Sequence, residues 1–121
     1  MILLDTNVLI EILKGNQTTI KKIEEFNTTL CISSITVMEL YYGAINKAEV
    51  KKLEKFMGLF TVIQINSEIS KRSIELVKTY AKSHSLDIPD SLIASTSLEK
   101  NHTLFTYNTK DFKYISSIKL V

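Results

Sequence analysis

The chain has 121 residues, of which 45% are hydrophobic, and its formal net charge is +2. This length fits a single domain over residues 1–121, the apolar content excludes intrinsic disorder, and the small net charge does not by itself indicate a nucleic-acid partner. No apolar run reaches the ~20 residues of a membrane span, and Asp5 and Glu11 interrupt the stretch that a signal peptide needs, so we expect a soluble cytoplasmic protein with no membrane partner.

The first half of the chain alternates between strand-like and helix-like hydrophobic patterns. The apolar run Met1–Leu4 is typical of a strand buried on both faces, and Gly15 ends the helix predicted after it. The next predicted elements are a short helix around residues 20–26, a strand over Thr29–Ser33, helices over Ser34–Ile45 and around residues 50–60, and a strand over Thr61–Ile65.

The second half continues this alternation. Ser67 is the predicted cap of a long helix whose buried stripe reaches Tyr80. The remaining predicted elements are a loop over Ser83–Ile88, a helix over Asp90–Lys100 opened by Pro89, a strand over Thr103–Thr106 and a last strand over Ile118–Val121. Alternating strands and helices predict an α/β fold, a three-layer sandwich in which helices flank a mostly parallel central sheet of four to five strands.

Four acidic residues lie just after strands or at helix starts, where an open parallel sheet carries its functional groups. They are Asp5, Glu39, Asp90 and Asp111. Taken singly, Asp5 and Asp90 also suit N-caps, and Asp111 suits an Asx turn. Asp87 competes with Asp90 for a functional role, but it precedes the Ile88-Pro89 pair, whereas Asp90 projects from the first helical turn.

Glu39 has the least ordinary explanation of the four. Its neighbours are large hydrophobic residues, Val37, Met38, Leu40 and Tyr41, among which a carboxylate is costly unless it is paired or bound to a metal. The alternative is a capping box formed with Thr36, which requires the helix to begin there instead of at Ser33 or Ser34.

These four carboxylates predict one site for a divalent cation. The ends of successive strands converge on one edge of a parallel sheet, so the acids would repel one another without a cation, and at least one pKa would be raised. Oxygen ligands without histidine or cysteine favour Mg²⁺ or Mn²⁺. Such ions commonly act on phosphate esters, because they neutralise charge and activate water.

Four blocks of sequence resemble the PIN-domain nucleases. They are LLDTNVLI at residues 3–10, SSITVMELYYGA at 33–44, PDSLIA at 89–94 and TYNTKDF at 106–112. Their order, their spacing and the chain length are similar to those of VapC-type toxins of prokaryotic toxin–antitoxin pairs. The resemblance spans almost the whole chain.

The resemblance implies a PIN-like fold and a divalent-metal-dependent endoribonuclease that uses the four acids as catalytic and metal-binding residues. Asp5 and Asp90 would contact the Mg²⁺ or Mn²⁺ ion directly, while Glu39 and Asp111 would complete the cluster. Supporting residues that orient carboxylates and waters would be Thr6, Asn7, Thr106 and Asn108.

The resemblance also implies an RNA substrate, a homodimer, and a cognate antitoxin that covers the site and represses the shared operon. Tyr107 stands where relatives often carry arginine, so Lys110 or Lys113 would take over a phosphate contact there. The segment Leu40–Tyr42, with Ile12 and Leu13, is either an apolar interface or ordinary core.

Other functions fit the sequence less well or stay open. An aspartyl phosphatase needs a second acid two residues after Asp5, where Asn7 stands, and a nucleotide-binding module needs a glycine-rich turn that is absent after the first strand. A non-toxin PIN nuclease of RNA processing stays open. So does a non-catalytic PIN-like module that binds RNA or protein, although such modules usually lose site acids.

Overall fold

A four-stranded parallel sheet forms the centre of the molecule in the computed structural model, which describes all of residues 1–121. The strands are β1 (Ile2–Leu4), β2 (Leu30–Ser33), β3 (Thr61–Ile63) and β4 (Thr103–Phe105). Their order is β3-β2-β1-β4, and every pairing is parallel. The predicted α/β class and mostly parallel sheet of four to five strands are confirmed.

Six helices connect the strands and cover both faces of the sheet. They are α1 (Thr6–Leu13), α2 (Gln17–Glu25), α3 (Ser34–Tyr42), α4 (Lys47–Met57), α5 (Ser67–His84) and α6 (Ile88–Lys100). A 3-10 turn follows β4 at Thr109–Asp111. None of the helices combines the length and the apolar character that a membrane crossing requires.

The sheet divides the core into two layers because successive strand residues face opposite sides. Leu3 and Leu104 face α5 and α6, where they pack with Leu76, Ile93 and Phe112. The neighbouring positions face the other layer, in which Leu4, Ile32 and Phe105 pack with the apolar stripes of α1, α3 and α4. This pattern is the physical basis of the predicted three-layer sandwich.

Several predicted boundaries are wrong, each for a local reason. The loop predicted at Ser83–Ile88 is shorter, because α5 runs to His84, Ser85 ends it in a left-handed conformation with φ 58°, and α6 already begins at Ile88. The cap of α5 is Asn66, whose side chain accepts a hydrogen bond from the Ile69 amide, so Ser67 is already helical.

The C-terminal strand predicted at Ile118–Val121 is reduced to one bridge. Leu120 pairs with Leu104, and the Leu104 amide donates to the Lys119 carbonyl at 2.8 Å. Ser117 precedes this segment in a left-handed conformation with φ 68°, which turns the chain just before the sheet edge. The sheet therefore has four full strands.

Candidate active site and metal centre

The acidic residues gather at the carboxyl ends of β1 and β4. The chain adds β2 and β3 on one side of β1, and β4 on the other, so strand order reverses between β1 and β4. In open parallel sheets, ligands bind at this reversal, outside the carboxyl ends of the strands. Asp5 directly follows β1 and Thr106 directly follows β4.

Asp5 is the most firmly held of the four acids. Only 5% of it is exposed, and its Oδ1 accepts a hydrogen bond from the Thr6 amide at 2.8 Å. Its Oδ2 accepts from the Thr106 hydroxyl at 2.8 Å and from Asn7 Nδ2 at 3.4 Å. Asp5 is thus the N-cap of α1 and also part of a network that joins β1 to β4.

Thr106 and Asn7 extend this network beyond Asp5. The Thr106 hydroxyl accepts from Asn7 Nδ2 at 3.3 Å and from the Asn108 amide at 3.0 Å. Asn7 Oδ1 in turn accepts from the Tyr107 amide at 3.2 Å. The side chains of Asn7 and Thr106 therefore donate hydrogen bonds to the Asp5 carboxylate directly. Asn108 contributes only its backbone amide, which donates to the Thr106 hydroxyl.

Burial raises the pKa of Asp5, against the lowering effect of its hydrogen bonds from Thr106 and Thr6. The charges of Glu39 and Asp111 raise this pKa further. Asp5 is therefore a carboxyl group whose charge is only partly compensated by the protein.

Glu39 is exposed, so its expected placement among buried hydrophobic residues is wrong. Its helix neighbour Met38 is 54% exposed and Tyr42 is 94% exposed, so this face of α3 points to solvent. The capping box with Thr36 is also absent, because α3 begins at Ser34 and Ser33 caps it. Instead, the Thr6 hydroxyl donates to Glu39 Oε1 at 2.8 Å.

Thr36 also supports the site, although the sequence pattern suggested only a helix-capping role for it. It is fully buried, and its hydroxyl lies 2.9 Å from the Thr6 hydroxyl. It thereby braces the residue that links α1 to Glu39. In the sequence, the one indication of this role is that Thr36 occupies the third position of a helix that follows a strand.

Asp90 lies in the first turn of α6, and the N-cap suggested as its ordinary role is formed by Asp87 instead. Asp87 Oδ1 accepts from the Asp90 amide at 2.8 Å, which leaves the Asp90 side chain without a hydrogen bond from the protein. Burial, followed by the charges of Asp87, Asp5, Asp111 and Glu39, raises the pKa of Asp90 to about 7.

Asp111 ends the 3-10 turn and is half-buried. Its side chain accepts no hydrogen bond, so the predicted Asx turn is not formed there. Its charge raises the pKa values of Asp5 and Asp90, after burial, and also contributes to the raised pKa of Tyr114, which burial and Asp90 raise first. The charges of Glu39 and Asp111 therefore act on both Asp5 and Asp90.

The residues present suit a hard divalent cation. The donors are carboxylate and hydroxyl oxygens, and the cluster contains no histidine or cysteine, as Mg²⁺ and Mn²⁺ prefer. Burial first, and then the neighbouring acids, raise the pKa values of Asp5 and Asp90, so their charged forms are costly and a cation would stabilise them. As they stand, no three of the side chains converge tightly enough to enclose an ion.

Comparisons with known proteins show the family to which the chain belongs. A model of the PIN domain family matches residues 2–117. The chain is 32% identical over 120 residues to ribonuclease VapC1 of Methanocaldococcus jannaschii, covering 98% of this chain and 84% of that protein. It is 26% identical over 126 residues to the tRNA(fMet)-specific endonuclease VapC of Shigella flexneri, covering 97% of this chain and 93% of that protein.

A solved structure gives the same result for the fold. The crystal structure of VapBC2 from Rickettsia felis, bound to a DNA fragment from their promoter, aligns with a TM-score of 0.85 at 33% identity. The alignment covers 100% of this chain and 98% of the matched chain. The chain therefore belongs to the PIN domain family, as a member of the VapC type.

Proposed function

We propose that the protein is a divalent-metal-dependent endoribonuclease that hydrolyses RNA phosphodiester bonds and serves as the toxin of a toxin–antitoxin pair. The observation that carries this proposal is the buried Asp5 at the strand reversal, surrounded by the charges of Glu39, Asp90 and Asp111. The similarity to proteins named as VapC ribonucleases gives the substrate class.

Asp5 and Asp90 would hold the ion, Mg²⁺ or Mn²⁺, while Glu39 and Asp111 would complete the site directly or through water. When bound, such an ion neutralises phosphate charge and makes water a better nucleophile. The chain itself supplies orientation: Thr106, Thr6 and Asn7 fix both oxygens of Asp5. Fixed ligands need little reorganisation during the reaction, which is the main benefit of a prearranged site.

We propose a cognate antitoxin, a homodimer and a cytoplasmic location for the same protein. Support for the antitoxin comes from the similar R. felis structure, in which VapBC2 is bound to a DNA fragment from their promoter. The sequence left open whether the apolar residues of Leu40–Tyr42, with Ile12 and Leu13, form core or interface. Leu40 is buried and belongs to the core, whereas Tyr42 and Leu13 are exposed. Exposed apolar side chains of this kind are typical of protein interfaces.

The test is cleavage of RNA by the purified protein with Mg²⁺ or Mn²⁺, in parallel with EDTA. Asp5→Asn and Asp90→Asn should each reduce the rate at least ~100-fold, because loss of a ligand removes several kcal/mol of charge stabilisation. Glu68→Gln is the matched control, since Glu68 is an exposed acid in the first turn of α5. Equal activity in EDTA, or in both asparagine variants, would contradict the mechanism.

The same assay separates the toxin from its alternatives. Addition of the protein encoded beside this gene should suppress cleavage if that protein is the antitoxin. Cleavage without suppression would favour a PIN nuclease of RNA processing. RNA binding without any cleavage would favour a non-catalytic module.

A further inference from the structure

An open cavity of about 520 Å³ lies beside the acidic cluster, between α1, α2 and the loop after β4. Six residues line it. Five of them are polar and not aromatic: Asn7, Glu11, Asn16, Thr18 and Thr19. The sixth is Tyr107, which stands where the resemblance leads one to expect arginine. We call this space the Tyr107 cavity.

Tyr107 is anchored at three points although 47% of it is exposed. Its hydroxyl lies 2.6 Å from the hydroxyl of Thr19, which is fully buried. Its ring meets the Phe105 ring edge-on, with centroids 5.3 Å apart, and its amide donates to Asn7. A solvent-facing aromatic ring held in one position is a ready platform for a nucleobase, because little entropy is lost on stacking.

The polar lining suits a base better than a phosphate. The one ionised side chain in the lining is Glu11, whose pKa is lowered mainly by the hydrogen bond from Asn16 Nδ2 to its Oε1 at 3.1 Å and further by Lys14, whose Nζ lies 3.4 Å from its Oε2. Each oxygen of this partly paired carboxylate keeps a lone pair for a further donor. A carboxylate repels a phosphate group but accepts hydrogen bonds from the exocyclic amino groups of adenine, cytosine and guanine. Uracil lacks such a group.

Asn7 connects the cavity to the acidic cluster. Its side chain lines the cavity, and its Nδ2 also donates to Asp5 Oδ2 at 3.4 Å. A base in the cavity would therefore belong to a nucleotide adjoining the phosphodiester that is cleaved at the acidic cluster. Single-stranded RNA presents such splayed bases, whereas duplex RNA does not.

We propose that the Tyr107 cavity binds one unpaired, amino-bearing RNA base next to the scissile phosphate, with Tyr107 as its stacking surface and Glu11 as its hydrogen-bond acceptor. This inference rests on the proposed ribonuclease function and deepens it. Tyr107 is then a substrate-binding residue in place of a cationic phosphate contact.

The test uses single-stranded RNA heptamers that carry 2-aminopurine at one position at a time, bound to the Asp90→Asn protein so that the RNA stays intact. Stacking on Tyr107 should quench the fluorescence at one position. Tyr107→Phe keeps the ring and should keep the quench, while Tyr107→Leu should remove it. Tyr107→Leu should also weaken binding about 5- to 150-fold, which corresponds to the ~1–3 kcal/mol of one base stacked on an aromatic residue.

The inference would be overturned if Tyr107→Leu bound the RNA with the same affinity and the same quench as the protein with Tyr107. It would also be overturned if Tyr107→Phe lost as much affinity and quench as Tyr107→Leu. This binding assay needs no catalysis, so it decides the inference even if the protein cleaves no RNA and the proposed function fails. Thermal melts verify that each variant is folded.

A second measurement leaves Tyr107 untouched. Glu11→Gln keeps the size of the side chain but replaces one acceptor oxygen by an amide donor. In an otherwise wild-type protein, cleavage-site mapping on a mixed-sequence RNA should show uracil disfavoured at one position beside the cut, and Glu11→Gln should relax that bias. A bias toward uracil, or an unchanged profile in Glu11→Gln, would contradict the role of Glu11.

Discussion

Asp5 and Asp90 are both proposed ligands of one ion, yet the protein holds them in opposite ways. Asp5 ends the central strand and accepts hydrogen bonds at both oxygens from Thr6, Asn7 and Thr106. Asp90 lies on the first turn of α6 with no donor to its side chain, because Asp87 takes the capping role. One acid is tethered by hydrogen bonds, and the other is positioned only by its helix.

The difference indicates a division of work within the site. A hydrogen-bonded carboxylate has a fixed orientation, so in the proposed site Asp5 would define where an ion binds. An unbonded carboxylate crowded by other acids keeps its binding capacity free, and its pKa of about 7 shows how unfavourable its charge is without a counterion. Variants that break this contrast test it directly.

Among variants that leave Asp5 itself in place, the largest loss of stability is expected from Thr106→Val, which removes the hydroxyl that joins the end of β4 to Asp5. The Asp5 carboxylate and the Asn108 amide each lose a partner, so the free energy of unfolding should fall by about 1–3 kcal/mol. RNA cleavage should fall about 10- to 100-fold, as for other residues that orient metal ligands. Urea denaturation and initial cleavage rates measure the two effects.

Thr103→Val is the matched control, because Thr103 begins the strand that Thr106 directly follows and its side chain makes no hydrogen bond. If both valine variants lost stability and activity equally, the Asp5 network would not be the cause.

A smaller effect with the opposite sign is expected from Asp90→Asn without metal. The folded pKa of Asp90, about 7, exceeds the ordinary aspartate pKa of 3.8, so the folded state holds a proton that the unfolded state releases between these two pH values. Stability should therefore fall as pH rises from about 4 to 7 and stay low above pH 7. At pH 8, Asp90→Asn should be more stable than wild type by about 1–2 kcal/mol, a range reduced for partial exposure.

The check is a series of thermal melts in EDTA from pH 5 to pH 8.5. The asparagine variant should already melt somewhat higher at pH 5, and the gap should widen up to about pH 7 and then stay constant. A wild-type protein whose stability is flat across this range, or an asparagine variant that is less stable at pH 8, would show that Asp90 is not electrostatically strained.

The smallest effect is expected at Thr36, which braces Thr6 and through it Glu39. Thr36→Val leaves the Thr6 hydroxyl with Glu39 as its one remaining partner and should cost about 1 kcal/mol of stability. Because Glu39 is exposed, cleavage should fall only about 3-fold or less, near 0.6 kcal/mol. Thr36→Ser keeps the hydroxyl and should behave as wild type in both assays, which distinguishes hydrogen bonding from packing.

The fold was predictable because its signal is local. Apolar runs such as Met1–Leu4 and the helical stripe from Ile69 to Tyr80 determine which elements form, and their alternation limits the sheet to parallel topologies. Boundaries were less predictable where one residue decides them, as at Ser85, where a left-handed conformation ends α5.

Parts of the site depend on contacts that no local pattern shows. Thr19 and Tyr107 are 88 residues apart, and only the packing of α2 against the end of β4 brings their hydroxyls together. The expectation for Glu39 failed for a related reason, because its apolar neighbours suggested burial, whereas the orientation of α3 turns Met38 and Tyr42 to solvent. Hydrophobic neighbours in sequence do not determine which helix face is covered.

The central claim is that Asp5 and Asp90 hold one divalent cation that RNA cleavage requires. Isothermal titration of the metal-free protein with Mn²⁺, followed by cleavage assays on the same samples, tests it most directly. We predict binding and metal-dependent cleavage in the wild type, with both lost together in Asp5→Asn and in Asp90→Asn. Mn²⁺ binding and RNA cleavage that both survive in the Asp90→Asn protein would contradict the account.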